Sequence, residues 1–191
     1  FSTRPIHHKM ALRSSDTGEL VFDQCIIPKE NLLPGTSKGL SAALRCLNKA
    51  RFGIAWGAMG AASDCFETTL AYVKERRQFN RPLAACQLVQ QKLAAMWTEI
   101  VKAQAFNLRM GRLMDKNQAS ASLISMGKMN ACKEALRIAR TCRDLLGANG
   151  ISLEYGVIRH MNNLEAVYTY EGTDHIHHLI LGQHLTGISA F

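Results

Sequence analysis

Glu171 is the first carboxylate in this sequence to consider for acid–base chemistry. It stands in Tyr170-Glu171-Gly172-Thr173, behind the apolar run Ala166-Val167-Tyr168 and just ahead of a helix-prone segment. Thr173 suits a helix N-cap, and Asp174 suits the positive end of a helix dipole. Gly172 lets the backbone turn unusually or lets a ligand approach closely. A carboxylate at such a junction, in dry surroundings, can serve as a general base. In water, the same tetrapeptide is the solvated start of a helix.

Four other constellations could bind or react. In Glu75-Arg76-Arg77-Gln78-Phe79, with Gln87 beyond Pro82, two arginines meet a helix end. They suit the helix dipole, or an anion such as a pyrophosphate bound by paired hydrogen bonds. Asp144-Leu145-Leu146-Gly147-Ala148-Asn149-Gly150 reads as a helix C-cap with a glycine-rich turn, whose free amides could also meet an anion or a ring edge. Without a βαβ context it is no dinucleotide fingerprint. Asn48-Lys49-Ala50-Arg51-Phe52-Gly53, followed by Gly57 and Gly60, puts glycines at helical spacing. Close helix packing is the expected reason, and a polar ligand against the thin face the competing one. His175-Ile176-His177-His178 could share a face with Glu171, but no glutamate has His three residues later, as a di-iron bundle requires. No metal is expected.

These residues need elements to hold them. Residues 89, 93, 96, 100, 103, 107, 110 and 114 step by three and four, and all but Asn107 are apolar. That is a bundle-type amphipathic helix. A second series runs through 131, 135, 138, 142 and 145, stopped by Gly147 and Gly150. Leu40 to about Arg76 predicts a long helix, and shorter ones are expected over Tyr155–Leu164 and Thr173–Leu185. Together they predict a mainly α fold, an up-down antiparallel four-helix bundle. Before about Lys38 the texture is different. Met10-Ala11-Leu12-Arg13 and Leu20-Val21-Phe22 flank Asp16-Thr17-Gly18, which reads as a turn between strands, and Ile26-Ile27-Pro28 could end another. So few strands cannot bury a core. Residues 1–36 are therefore expected to be the end of a β-domain, and 37–191 the helical domain. An opening at Phe1 without Met suggests a piece of a longer protein.

Composition narrows the classes. With 47% hydrophobic and 20% charged residues the chain is globular in kind. The longest apolar run, Ile54 to Ala62, is broken by glycines, so membrane insertion is not expected. Cys25, Cys46, Cys65, Cys86, Cys132 and Cys142 form no framework, which favours free thiols. The net charge of +8 is spread along the chain without aromatic interleaving, which argues against nucleic acid and suits a phosphate-bearing coenzyme.

Taken together, Asn48…Arg51, Arg76-x-Gln78-Phe79, Gln87, Gly147-Ala148-Asn149-Gly150, Glu154-Tyr155 and Tyr170-Glu171-Gly172-Thr173 resemble the C-terminal half of the acyl-CoA dehydrogenase family. Cys46 to Gly57, Asn163 to Val167 and the closing Ile180 to Phe191 are similar to its glutaryl-CoA branch. The resemblance implies FAD as cofactor, a homotetramer whose flavin sites straddle subunits, and electron-transfer flavoprotein as electron acceptor. It also implies a mitochondrial matrix location, or the cytoplasm in a bacterium. Glu171 matches the base that takes the α-proton of the thioester while a hydride leaves the β-carbon for the flavin. Arg76, Gln87 and the Asp144, Leu145, Leu146, Gly147, Ala148 turn match contacts to a neighbouring subunit's FAD, and Thr173, Asp174 and His175 match contacts that follow the base. Leu44, Arg45, Cys46, Leu47, Asn48, Lys49, Ala50 and Arg51 match the acyl-CoA-lining segment, and Gly172 a substrate contact. His175, Asn48, Asn162-Asn163 and Ala148 depart from many relatives, and favour the glutaryl branch. There, oxidation of glutaryl-CoA is followed by loss of CO2 to give crotonyl-CoA. The alternatives are a family member of other chain specificity without decarboxylation, and a non-catalytic helical assembly module.

Overall fold

The computed structural model describes residues 1–36 and 39–190. Three long helices form the body: α1 (Ser41–Glu75), α2 (Gln87–Asp115) and α3 (Ala121–Leu145). Two shorter ones, α4 (Val157–Thr169) and α5 (Asp174–Thr186), close it. The limits of the long helices agree with the periodicity, and α4 runs five residues past its expected end. The expected switch of texture at Lys38, the domain limit at Ser37 and the terminal Phe191 lie outside the described residues.

Helix α3 is the centre. It packs on α1, α2, α4 and α5, and is buried along Ile124, Lys128, Ala131, Ala135, Ile138 and Cys142. Small residues at half of these positions let four helices approach one axis. Ser120 caps its start, accepting from the Leu123 amide at 3.1 Å. Along α2, Met96, Ile100, Ala103, Asn107 and Met110 are buried as the stripe predicts. Asn107, the polar exception, donates to the Ala55 carbonyl of α1 at 3.0 Å, so its place in the core is satisfied. The second series ends differently from expectation. Leu146, four residues after Cys142, is the buried one, while Leu145 is half-buried. All six cysteines are free. Among the described residues no helix is long and apolar enough to cross a membrane.

The N-terminal strands differ from the sequence expectation. β1 (Ser2–Pro5) pairs antiparallel with β2 (Gly18–Val21), and Met10–Arg13 is loop. The backbone of that run is used elsewhere: the Leu12 amide donates to Asn163 Oδ1 of α4 at 2.7 Å. The Lys9 ammonium donates to the carbonyls of Leu12 and Ser15 at 3.0 and 2.5 Å. A run whose polar groups serve a lysine and another helix cannot extend a ladder. Ile26-Ile27 is likewise not strand. A small hairpin not foreseen in the sequence, β3 (Arg77–Gln78) with β4 (Arg81–Pro82), follows α1. Its two turn residues, Phe79 and Asn80, both take positive φ, as a tight hairpin turn requires.

Candidate active site

Helix α4 stops at Thr169, and the chain reverses through Tyr170–Thr173 before α5. Glu171 and Gly172 take positive φ, +55° and +103°. Thr173 is the N-cap of α5, accepting from the Ile176 amide at 3.4 Å. Two cations hold the turn from below. Arg51 of α1 donates through Nε to the Glu171 carbonyl at 2.9 Å. Lys128 of α3 donates to the carbonyls of Gly172 at 2.9 Å and Tyr168 at 3.4 Å. Burial lowers the pKa of both, and the Glu171 charge pulls back in each case.

The Glu171 carboxylate leans inward. Its Oε2 is shielded from solvent with no hydrogen-bond partner among the described residues, so the group has desolvated acceptor capacity to spare. Beneath it, fully buried His177 meets Ser125 Oγ through Nδ1 at 2.5 Å. Its Nε2 faces the Gly172 backbone without closing a hydrogen bond of normal geometry.

The matched acyl-CoA segment winds around α1, so it cannot line a single groove. Leu44, Leu47, Asn48 and Arg51 share a face, and Arg51 is the one that reaches the Glu171 turn. Arg45, Cys46 and Lys49 are exposed, and Ala50 is half-buried. Among the described residues, no neighbouring helix packs closely on the glycines of α1. A Cβ on Gly53, Gly57 or Gly60 would meet nothing within 4 Å. Gly57 and Gly60 instead floor an apolar cleft of about 370 Å³, walled by Val167 and Tyr170.

At the far end of α1, Arg76 and the whole Asp144, Leu145, Leu146, Gly147, Ala148 turn line one cleft of about 410 Å³. Lys92 Nζ grips Asp144 Oδ2 at 2.7 Å and holds that carboxyl below its usual range. The Leu146 side chain is in the core, so its part in the cleft is backbone. Asn149 donates to the Tyr72 hydroxyl at 3.2 Å, pinning the turn to α1. Gln87, the exposed first residue of α2, does not line this cleft. Thr173, Asp174 and His175 lie beside Glu171 instead. Arg51 and Arg76 are 25 positions apart on a continuous helix, which is about 37 Å. Gln87 aside, the matched flavin contacts of one chain thus fall into two separate groups.

Sequence reasoning missed Lys128 and Ser125, together with Tyr72 and Leu83 in the far cleft; His177, Gln78 and Asn149 stood in quoted motifs but were given no such part. A signal existed for Lys128. It falls on the stripe 124, 128, 131, 135, where a lysine among apolar neighbours is out of place. His175 and His178 are exposed, and His178 pairs with Asp174 at 3.2 Å. Among the described residues no three His, Cys, Asp or Glu side chains gather to hold a metal.

Residues 37–186 match the acyl-CoA dehydrogenase C-terminal domain. The chain belongs to the acyl-CoA dehydrogenase family. Two solved structures of glutaryl-CoA dehydrogenase from Mycobacterium smegmatis, one in complex with FADH2, superpose at a TM-score of 0.97, with 52% and 50% identity. Each covers 100% of this chain and 49% of the other. The mitochondrial isovaleryl-CoA dehydrogenase of Solanum tuberosum is 31% identical over 97% of this chain and 45% of its own length. The chain therefore spans about half the length of the acyl-CoA dehydrogenases it matches.

Proposed function

We propose that the protein to which this chain belongs is an FAD-dependent acyl-CoA dehydrogenase acting on glutaryl-CoA, with Glu171 as the base. The observation that carries this reading is the Glu171 carboxylate: shielded and unpartnered at Oε2, and set on a turn fixed by Arg51 and Lys128. A carbon acid beside a thioester is weak, so its proton leaves readily only to a base already in place, with an acceptor oxygen free of competing partners.

The residues present fit the cofactor in two parts. Arg76 offers a fork of donors, and the Asp144–Ala148 turn offers backbone at positive φ (Gly147) beside it. Thr173, Asp174 and His175 offer a helix start near the base, where partial positive charge favours an anion. Bound FAD supplies the hydride acceptor. With about 37 Å along α1 between these groups, one copy of the chain serves two flavins, which supports a homotetramer with sites across its interfaces. Residues 1–36 are read as the end of the β-domain. Electron-transfer flavoprotein is the proposed oxidant of the reduced enzyme.

For the substrate, support comes from the 52% and 50% identities to the two glutaryl-CoA dehydrogenase structures from Mycobacterium smegmatis. Glu171→Gln in the full-length protein is expected to cut turnover by several orders of magnitude, on the order of 10³-fold or more, and to keep the yellow cofactor. Near-normal turnover removes Glu171 as base. Assays of the full-length protein with glutaryl-, butyryl- and isovaleryl-CoA, with CO2 release measured, decide the substrate and the decarboxylation.

A further inference from the structure

We propose that Lys128 is a positioning residue for the base: its ammonium ties the carboxyl end of α4 to the Gly172 carbonyl and so fixes the backbone from which Glu171 projects. This rests on the reading of Glu171 given above.

The argument begins with the end of α4. The last carbonyls of a helix have no partner within it, and they carry the negative end of its dipole. Tyr168 O is one of them, and Lys128 reaches it at 3.4 Å. The same ammonium reaches Gly172 O at 2.9 Å. Residues 168 and 172 bracket Glu171, so a single cation clamps the turn on both sides of the base. Glu171 itself is held at φ +55°, which a side-chain-bearing residue keeps only where its surroundings over-determine it. Arg51 fixes the Glu171 carbonyl from α1, and Lys128 fixes the next carbonyl from α3. Two helices thereby set two successive peptide planes.

Lys128 is 1% exposed, among the least accessible side chains of the protein. Among the described residues no carboxylate lies within ion-pair distance of it; carbonyl oxygens hold it, with Glu171 and Asp174 attracting and Arg51 repelling from further off. Burying an ammonium is unfavourable unless its donors are satisfied, so its acceptors must stay in place. The clamp works in both directions.

The test uses the full-length, flavin-loaded protein with Lys128→Met and Lys128→Arg. Hydrogen–deuterium exchange of the peptide covering 168–176 is expected to quicken on the order of 10-fold in Lys128→Met, with α1 and α2 still protected. Turnover should fall on the order of 10- to 100-fold, with KM little changed, and Lys128→Arg should recover part of both. If Lys128→Met does not fold, Lys128→Arg and Lys128→Gln carry the comparison, with turnover and turn protection expected in the order Lys, Arg, Gln. Unchanged exchange at 168–176 overturns the role of Lys128 whatever the activity. Faster exchange with undiminished turnover also overturns the positioning role, whereas the reading of Glu171 on which it rests falls only to near-normal turnover of Glu171→Gln.

Discussion

Gly172 and His177 lie so close that a Cβ on Gly172 would stand 3.0 Å from both Cε1 and Nε2 of the imidazole. The same Cβ would be 3.2 Å from an Arg51 guanidinium nitrogen, at a φ of +103° that L side chains rarely adopt. Strain and crowding add, so Gly172→Ala should destabilise the fold by roughly 1–3 kcal/mol. Thermal unfolding of the full-length protein measures it. An unchanged midpoint would mean that the turn can relax away from His177.

Acid should weaken the fold through His177. Burial, helped by the Lys128 and Arg51 cations, pushes its pKa down from 6.5 to about 4. Between those values the unfolded chain takes up a proton that the folded chain refuses, so stability rises with pH across that window. The cost is full below about pH 4 and absent above the unfolded value. It amounts to on the order of 3 kcal/mol. Urea unfolding followed from pH 7 to 4 should show the decline, and His177→Gln should flatten most of it. An equal slope in that variant places the acid sensitivity elsewhere.

Two glycines should respond oppositely to alanine. At Gly150 a Cβ would fall 2.2 Å from the Arg143 carbonyl oxygen, a backbone atom that cannot step aside. Gly150→Ala should cost about 2–4 kcal/mol and distort the turn that lines the far cleft. Gly57 lies exposed within α1, with open space where the methyl would go. Gly57→Ala should stabilise the helix by about 0.5–1 kcal/mol. If it also slows turnover of the full-length enzyme, the cleft it floors takes part in binding.

Arg51 should matter to rate as well as to folding. Arg51→Lys keeps the charge but loses the guanidinium Nε that reaches the Glu171 carbonyl. Turnover is expected to fall on the order of 10- to 100-fold, since small displacements of a catalytic group are costly. Steady-state kinetics against an unchanged flavin content checks this; wild-type turnover would make the bond dispensable.

The helical part of this fold was legible because burial repeats with the helix. The stripe through α2 located its core face to the residue, and even the misfit Asn107 sat where the stripe put it. What could not be read was the partner that makes a misfit acceptable: the Ala55 carbonyl for Asn107, the Tyr168 and Gly172 carbonyls for Lys128. Those are contacts between helices, and spacing within one helix does not report them. The glycines of α1 misled for a related reason, since small residues look alike whether they face a neighbour or an open cleft. Met10–Arg13 looked like strand by residue type, but its backbone bonds had been claimed by Lys9 and Asn163. The motifs named Glu171, Thr173, Arg76 and the Asp144–Ala148 turn as candidates, and gave no part to the buried pairing of Ser125 with His177 behind Glu171.

Helix α1 carries Arg51 near its start and Arg76 just past its end, about 37 Å apart. In an assembly with flavins shared across interfaces, damage at one end disables a different catalytic centre from damage at the other. Two inactive variants, Glu171→Gln and Arg76→Ala, should therefore complement each other when co-expressed. Mixed oligomers would contain centres that draw an intact base from one parent and an intact arginine from the other. In such an assembly, the separation along one long helix would make the mixed oligomer more active than either parent.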